Sequence, residues 1–178
     1  VRAQALAAEL CEQNKLRQNE ENKILEQTLT RLRREYNPLE DKIIVLAGKG
    51  WHQGVIGIVC SRLCDRYGCP VVLISIDSDG VGKGSGRSIG SFNLFDALTS
   101  CSDLLDRYGG HALAAGLTID ESNIDALKAR LKAYAETHVT RQQLIPQLHI
   151  DCMVEKEWLT IENIEGLSML EPYGMQNA

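Results

Sequence analysis

Residues 109–116 combine glycine, histidine and alanine in a pattern suited to binding an anion. Gly109 and Gly110 precede His111, and a run of small or apolar residues leads to Gly116. Glycine lets the backbone approach a ligand closely because it has no Cβ, and histidine can donate a hydrogen bond or a charge near neutral pH. Backbone N–H groups beside an imidazole favour an anion, most often a phosphate. The alternative is a Gly-Gly turn, a structural histidine and an alanine-rich core helix.

A second glycine-rich segment covers residues 83–88 and carries two hydroxyls and a guanidinium. The guanidinium of Arg87 stays charged and can bind a phosphate through two hydrogen bonds. The hydroxyls of Ser85 and Ser88 could bond the same anion, or could bond their own backbone within a turn. The segment lacks the GxxxxGK[ST] pattern of a P-loop, so we expect it on a strand or at a strand end.

Two ring side chains follow the first predicted strand. Trp51 could stack on a nucleobase, because aromatic rings serve as platforms for single-stranded nucleic acid. It could equally anchor the core beside the neighbouring helix. His52 could contact a substrate or orient a neighbouring group through a hydrogen bond.

The segments that must position these residues predict an α/β fold. Residues 1–36 contain no Gly or Pro and predict one long helix that ends before Pro38. The apolar runs 43–47 and 71–76 have the length and continuity of buried strands, and helically spaced apolar residues over 55–67 join them. Strand, helix and strand at this spacing imply a parallel βαβ unit. We therefore predict a mixed, partly parallel β-sheet flanked by helices.

Shifts in composition divide the chain into three parts. Residues 1–40 form a connector helix that is polar in its middle, as in a solvated bridge between domains. Residues 41–140 form the α/β domain, and an acidic tail over 141–178 holds a predicted strand at 148–152 and a predicted helix at 160–170. The chain begins without methionine and ends in a turn-like segment, so we expect a piece of a longer protein.

The composition is that of an ordinary globular protein and excludes binding through bulk charge. The 178 residues carry a formal net charge of −5, with 44% hydrophobic and 24% charged residues. Any contact with nucleic acid must therefore be local. No apolar run is long enough to span a membrane, and no secretion signal is present. The six cysteines form no CxxC pair, so we expect buried thiols, no metal site and a reduced, cytoplasmic setting.

Three segments together resemble the RecJ family of single-stranded-DNA exonucleases. They are WHQGVIG at 51–57, GSGRS at 84–88, and GGH at 109–111 with AAG at 114–116. These segments are similar to the hallmarks of the DHH-associated domain in that family. The segment LEPYGMQN at 170–177 is similar to the start of the family's OB-fold domain, so the resemblance covers the whole chain. It implies that residues 141–178 are the start of a truncated OB-fold-like domain that follows the DHH-associated domain.

The resemblance implies that the parent protein is a 5′-to-3′ exonuclease of DNA repair and recombination. Manganese or magnesium ions would be held by an N-terminal DHH domain before Val1, and single-stranded DNA would bind between that domain, this chain and the OB-fold domain. This chain would carry no catalytic residue and no metal ligand. Asn14 and Arg17 look like the family's interdomain connector and could touch DNA or fix the helix to a neighbour. The resemblance and the patterns above assign substrate binding to His111, Arg87, Gly109, Gly110, Ser85, Ser88, Trp51 and His52.

Two other functions remain open on the sequence. A DHH phosphodiesterase of oligoribonucleotides or cyclic dinucleotides would share the Gly-Gly-His motif, and a non-catalytic nucleic-acid-binding module would share the α/β domain. The OB-like tail favours the exonuclease, because an enzyme of small nucleotides does not need a strand-binding fold.

Overall fold

A five-stranded mixed sheet with helices on both faces forms the larger part of the protein. The computed structural model describes residues 2–38, 40–145, 150 and 152–174, and the chain divides into two compact units, 1–146 and 147–178. The strand order is β1-β2-β3-β5-β4, with β1 parallel to β2 and every other neighbouring pair antiparallel. The strands are β1 (Ile44–Lys49), β2 (Val71–Ile76), β3 (Val81–Arg87), β4 (Arg107–His111) and β5 (Ala114–Asp120). The predicted α/β class with a partly parallel sheet is confirmed.

The parallel pair is the predicted βαβ unit. Helix α2 (Ile56–Tyr67) joins β1 to β2 and buries apolar residues three or four positions apart, so one stripe faces the sheet. It ends at Gly68, which has φ of 63° and donates its N–H to the Cys64 carbonyl at 2.8 Å. All six residues of β2 are buried because helices cover both faces of the sheet there.

Two helices pack on the opposite face of the sheet. Helix α3 (Leu94–Thr99) begins at Asn93, whose side-chain oxygen accepts hydrogen bonds from the Phe95 and Asp96 N–H groups. Helix α4 (Ile124–His138) buries Ile124, Leu127, Leu131 and Ala135 against the same core. This apolar layer supports one face of β3 and β5 and leaves their opposite face free of α3 and α4.

Helix α1 (Arg2–Glu35) docks only through its second half. Residues 2–16 are exposed throughout, whereas Ile24, Thr28 and Leu32 are buried against the α2 side of the sheet. The polar middle is therefore solvated only in part. Glu21 within it is 1% exposed, and its carboxylate lies 2.7 Å from both Arg17 and Arg62 of α2.

The Arg17 side chain thus has a structural role in this protein. It donates hydrogen bonds to Asn14 Oδ1 at 3.0 and 3.2 Å as well as to Glu21. These contacts place Arg17 at the joint between α1 and α2. They support the interpretation in which the connector is fixed to a neighbour.

Residues 147–178 form the second unit, which holds the short helix α5 (Ile161–Gly166). The Thr160 hydroxyl caps it by accepting the Asn163 N–H at 3.2 Å. The predicted helix over 160–170 begins as expected but continues after α5 as a 3-10 turn, Leu167–Leu170. The predicted strand at 148–152 falls largely outside the described residues, and so does the end of the OB-like segment.

Four of the six cysteines are buried thiols, and the prediction made for Cys60 and Cys64 on one face of α2 is confirmed. The four are Cys60, Cys64, Cys69 and Cys101, whereas Cys11 and Cys152 are exposed. Burial raises the pKa of Cys60 to about 12 and the pKa of Cys69 to about 11. These thiols are therefore protonated packing groups. Among the described residues, no helix combines the length and hydrophobicity that crossing a membrane requires.

Candidate nucleic-acid interface

The Gly-Gly-His motif lies on a β-hairpin rather than at a turn before a helix. Strand β4 ends at His111, strand β5 begins at Ala114, and only two residues connect them. The alternative of an alanine-rich core helix is therefore wrong. The turn is fixed by its own carbonyl groups: the Ala112 oxygen accepts the Leu94 N–H and the Leu113 oxygen accepts the Ser88 N–H, each at 2.9 Å. This anchoring sets the position of His111.

The strand register aligns the two glycine-rich segments in rows across β3, β5 and β4. Arg87 lies opposite Ala114, which lies opposite His111; Ser85 lies opposite Gly116, which lies opposite Gly109. Residues that face each other across antiparallel strands point to the same side of a sheet, and so do residues two apart on one strand. One surface, named the open face, therefore comprises Lys83, Ser85, Arg87, Ala114, Gly116, Thr118, Arg107, Gly109 and His111.

The open face is uncovered because α2 reaches only as far as β3. The Cys60 thiol donates to the Ser85 carbonyl at 3.0 Å, which places α2 directly over β3. A Cβ built on Gly109 would meet nothing within 4 Å, and one built on Gly116 would meet only the Gly84 carbonyl oxygen at 3.5 Å. The centre of the face is thus open backbone that a ligand can approach closely.

Basic side chains surround this small-residue centre. Lys83, Arg87, Arg107 and His111 all belong to the open face, and in the part of the chain that the structure describes none of them pairs with a carboxylate. Three unpaired cations, Lys83, Arg87 and Arg107, on one surface give a local positive field in a protein whose net charge is −5. The arrangement suits the binding of successive phosphates along one nucleic-acid strand.

Arg87 is held half-buried between β3 and the first turn of α2. Its Nη1 donates to the Gly86 carbonyl at 2.8 Å and lies 3.4 Å from the Ser85 hydroxyl. Gly57 allows this packing, because a Cβ there would come within 3.4 Å of Arg87 Nη2 and 3.0 Å of the Ser85 Oγ. The positive end of the α2 dipole therefore adds to the positive field that the guanidinium presents to an anion.

Three of the predicted site residues have structural roles. Ser88 lies just beyond the end of β3, and its hydroxyl donates to the Phe92 carbonyl at 2.7 Å. Gly110 has φ of +142°, and a Cβ there would lie 2.3 Å from the Ala114 carbonyl oxygen, so the hairpin requires glycine. Trp51 is 6% exposed, and its indole N–H donates to Gln27 Oε1 at 2.8 Å. The burial of Trp51 favours the core-anchor interpretation.

His52 is not part of the open face and lines a cleft at the start of β3. Its Nδ1 accepts the Gly54 N–H at 3.2 Å, and its ring is exposed. Of the eight predicted residues, the structure brings together Arg87, Ser85, Gly109 and His111 on the open face, with Gly110 beside them in the hairpin.

Sequence reasoning missed two cations of the open face, Lys83 and Arg107. Each stands at a spacing of two from a residue that was recognised: Lys83 from Ser85, and Arg107 from Gly109. Period-two alternation is the signal of a strand with one distinctive face. The segment 83–88 was already expected on a strand, so applying this alternation to it would have found Lys83, and recognising residues 107–111 as a second strand would have found Arg107.

The described residues offer no group of three His, Cys, Asp or Glu side chains that could hold a metal ion. The open face accordingly has the groups to bind an anion but no ligands to bind a catalytic metal. Its chemistry is electrostatic: it can hold and orient a phosphate.

Comparisons with known proteins identify the relatives of this chain. The DHHA1 domain family matches residues 40–137. The chain is 39% identical over 98% of its length to the single-stranded-DNA-specific exonuclease RecJ of Bacillus subtilis, and 39% identical over the same share to RecJ of Thermus thermophilus. It spans only 22% and 24% of the length of these two relatives.

Solved structures give the same result for the fold. The crystal structure of RecJ from Thermus thermophilus in complex with Mg2+ superimposes with a TM-score of 0.82 at 38% identity, covering 97% of this chain and 26% of that one. A RecJ bound to manganese superimposes with a TM-score of 0.66 at 42% identity, covering 75% of this chain and 32% of that one. The family match covers more than half of the chain, and the chain therefore belongs to the DHHA1 domain family.

Proposed function

We propose that this chain is the substrate-binding part of a RecJ-type single-stranded-DNA exonuclease and that the open face holds the phosphates of the bound strand. One observation carries the proposal: the strand register aligns Arg87 and His111 in a single row across a floor of small residues. The similarity to RecJ over nearly the whole chain supports the choice of single-stranded DNA as the substrate.

Arg87, Ser85 and His111 each have a defined task in this proposal. Arg87 and the Ser85 hydroxyl bind one phosphate beside the α2 N-terminus, through charge-assisted hydrogen bonds. His111 binds the next phosphate, because two strand spacings separate it from Arg87 by about 10 Å. Gly109 and Gly116 let the sugar–phosphate backbone lie against the sheet between them.

Hydrolysis itself belongs to another part of the parent protein. The relatives crystallised with Mg2+ or Mn2+ indicate that a divalent metal supplies the chemistry there, by activating water and stabilising charge on the phosphate. The described residues of this chain do not fit such an ion. Their contribution is to bind and orient the strand.

Binding of a fluorescein-labelled oligonucleotide tests the proposal. Arg87→Ala and His111→Ala should each weaken the binding of single-stranded DNA about tenfold to a hundredfold, since each removes a charge-assisted hydrogen bond worth about 1.5–3 kcal/mol. Their melting temperatures should stay unchanged, and their effects should add because the two residues have no shared partner.

Arg34→Ala is the matched control for these variants, because Arg34 is an exposed arginine on α1 and does not belong to the open face. It should bind DNA as the unaltered chain does. Normal affinity in both site variants, or a loss of stability with affinity retained, would remove Arg87 and His111 from the interface.

A further inference from the structure

A cleft of about 420 Å³ opens where the parallel strands β1 and β2 end. The loop after β1, the end of β2 and the start of β3 form its walls. Ligands of α/β sheets usually bind at the carboxyl ends of parallel strands, and a volume of this size is within the range of small-molecule sites. Arg87, Ser85 and His111 do not line this cleft.

The cleft is continuous with the open face through Lys83. This side chain lines the cleft and also belongs to the row of β3 that carries Ser85 and Arg87. Lys83 and Arg87 are four residues apart on one strand, which corresponds to about 13 Å. Two different phosphates must therefore occupy Arg87 and Lys83. A strand that crosses the sheet from His111 to Arg87 and then turns along β3 to Lys83 passes the mouth of the cleft.

The walls of the cleft offer hydrogen-bond acceptors that repel a phosphate but suit a base. Asp77 is fixed there because its Oδ1 accepts the Asp79 and Val81 N–H groups at 3.0 and 2.9 Å. Glu20 adds a second carboxylate, and the exposed Gln53 adds an amide that can both donate and accept. Carboxylates accept hydrogen bonds from the exocyclic amino group of a base such as cytosine.

We propose that this cleft holds one nucleobase of the bound strand and favours a base with an exocyclic amino group. The inference rests on the proposed function, since Lys83 is the link that brings the strand to the cleft. The phosphate flanking that base lies on Lys83, the base enters the cleft, and Asp77 accepts its amino group. Thymine, which has no amino group, binds there more weakly.

A walk of single substitutions along a thymidine oligonucleotide tests the inference on the whole chain. One deoxycytidine is placed at each position of a chain of about twelve nucleotides, within the site sizes known for single-strand binders, and affinity is measured by fluorescence anisotropy. One position should bind about threefold to tenfold more tightly with cytosine, as expected for the net gain of one hydrogen bond in a cleft open to water. An abasic site at the same position should weaken binding.

Asp77→Asn should abolish the cytosine preference, because the amide keeps an oxygen for the two backbone N–H groups but loses the carboxylate charge. Asp79→Asn is the matched control, since Asp79 is an exposed aspartate of the same turn that does not line the cleft. It should keep the preference. Gln53→Ala should reduce it without affecting the turn.

The outcomes separate the two proposals. Single-stranded DNA that binds with the same affinity at every position of the walk would overturn the base site and leave the phosphate-binding function standing. No binding of any oligonucleotide at low salt would overturn both.

Discussion

Replacing Gly109 by valine should weaken DNA binding strongly while leaving the fold intact. Gly109 lies at the centre of the open face on the edge strand β4, and a Cβ there would meet nothing within 4 Å. Valine therefore fits without steric conflict. Because glycine in a strand costs about 0.5–1 kcal/mol relative to alanine and valine has a high strand propensity, the free energy of unfolding should stay constant or rise slightly.

The same isopropyl group stands where the proposed function places the sugar–phosphate backbone. It should displace a phosphate from its hydrogen bonds, each worth about 1.5–3 kcal/mol when charge is involved. Affinity for single-stranded DNA should therefore fall about tenfold to a hundredfold. Anisotropy titration and thermal unfolding on the same preparation measure the two effects.

Gly90→Val is the matched control, since Gly90 also has open space at its Cβ position but lies outside the open face. It should bind DNA normally. If Gly109→Val binds as tightly as the unaltered chain, the backbone of β4 does not contact the strand. A large loss of stability would instead show that the space around the Gly109 Cβ position is occupied.

Three further predictions concern the hairpin, a partly buried ion pair and catalysis. Gly110→Ala should lower the free energy of unfolding by about 1–3 kcal/mol in a denaturant titration, because its φ of +142° and the nearby Ala114 carbonyl exclude a side chain; stability like that of Gly109→Ala would contradict this. Burial opposes ionisation of Asp41, but Lys132 Nζ at 2.5 Å and the Asn37 N–H hold its pKa below the ordinary 3.8. The stabilisation is then complete above about pH 4 and lost as pH falls further, so Asp41→Asn should cost about 1 kcal/mol at pH 7 and progressively less in acid; a cost independent of pH would refute the ion pair. The chain alone should release no mononucleotides from labelled single-stranded DNA with Mn2+, and metal-dependent release would contradict its assignment as a binding part.

The sequence predicted the elements that depend on a single hydrophobic pattern. The strand over 71–76, the helix ending at Gly68 and the parallel βαβ unit are all present, because a continuous apolar run and a helical stripe each specify one structure. The cap at Asn93 also follows from local chemistry alone.

The hairpin was harder to predict because its burial pattern is weak. Residues 107–111 are mostly exposed and rich in glycine, so no alternation of apolar residues marks them as a strand. Two alanines after His111 are compatible with a helix by intrinsic propensity. Pairing with β3 decides the outcome: Ala115 and Leu117 are buried against the core, whereas Ala114 and Gly116 face outward.

The docking of α1 depends on contacts that no local pattern contains. The apolar spacing in this half of α1 predicts a stripe of Leu25, Leu29, Leu32 and Tyr36. Leu32 is buried as predicted, but Leu25 and Leu29 are only partly buried, and the deepest positions are Ile24 and Thr28, one residue earlier. The Thr28 hydroxyl is satisfied by donating to the Ile24 carbonyl at 2.6 Å, so a polar residue can be buried there. Only the position of α2 determines which face of α1 is covered.

The salt dependence of DNA binding tests most directly whether the open face contacts phosphates. For single strands, the slope of log affinity against log salt falls by about 0.7 for each phosphate contact that is lost. Lys83→Ala, Arg87→Ala and Arg107→Ala should each reduce the slope by about that amount, and Arg34→Ala should leave it unchanged. Unaltered slopes in all three site variants, with reduced affinity or without it, would contradict the claim that these cations of the open face bind the phosphates of the strand.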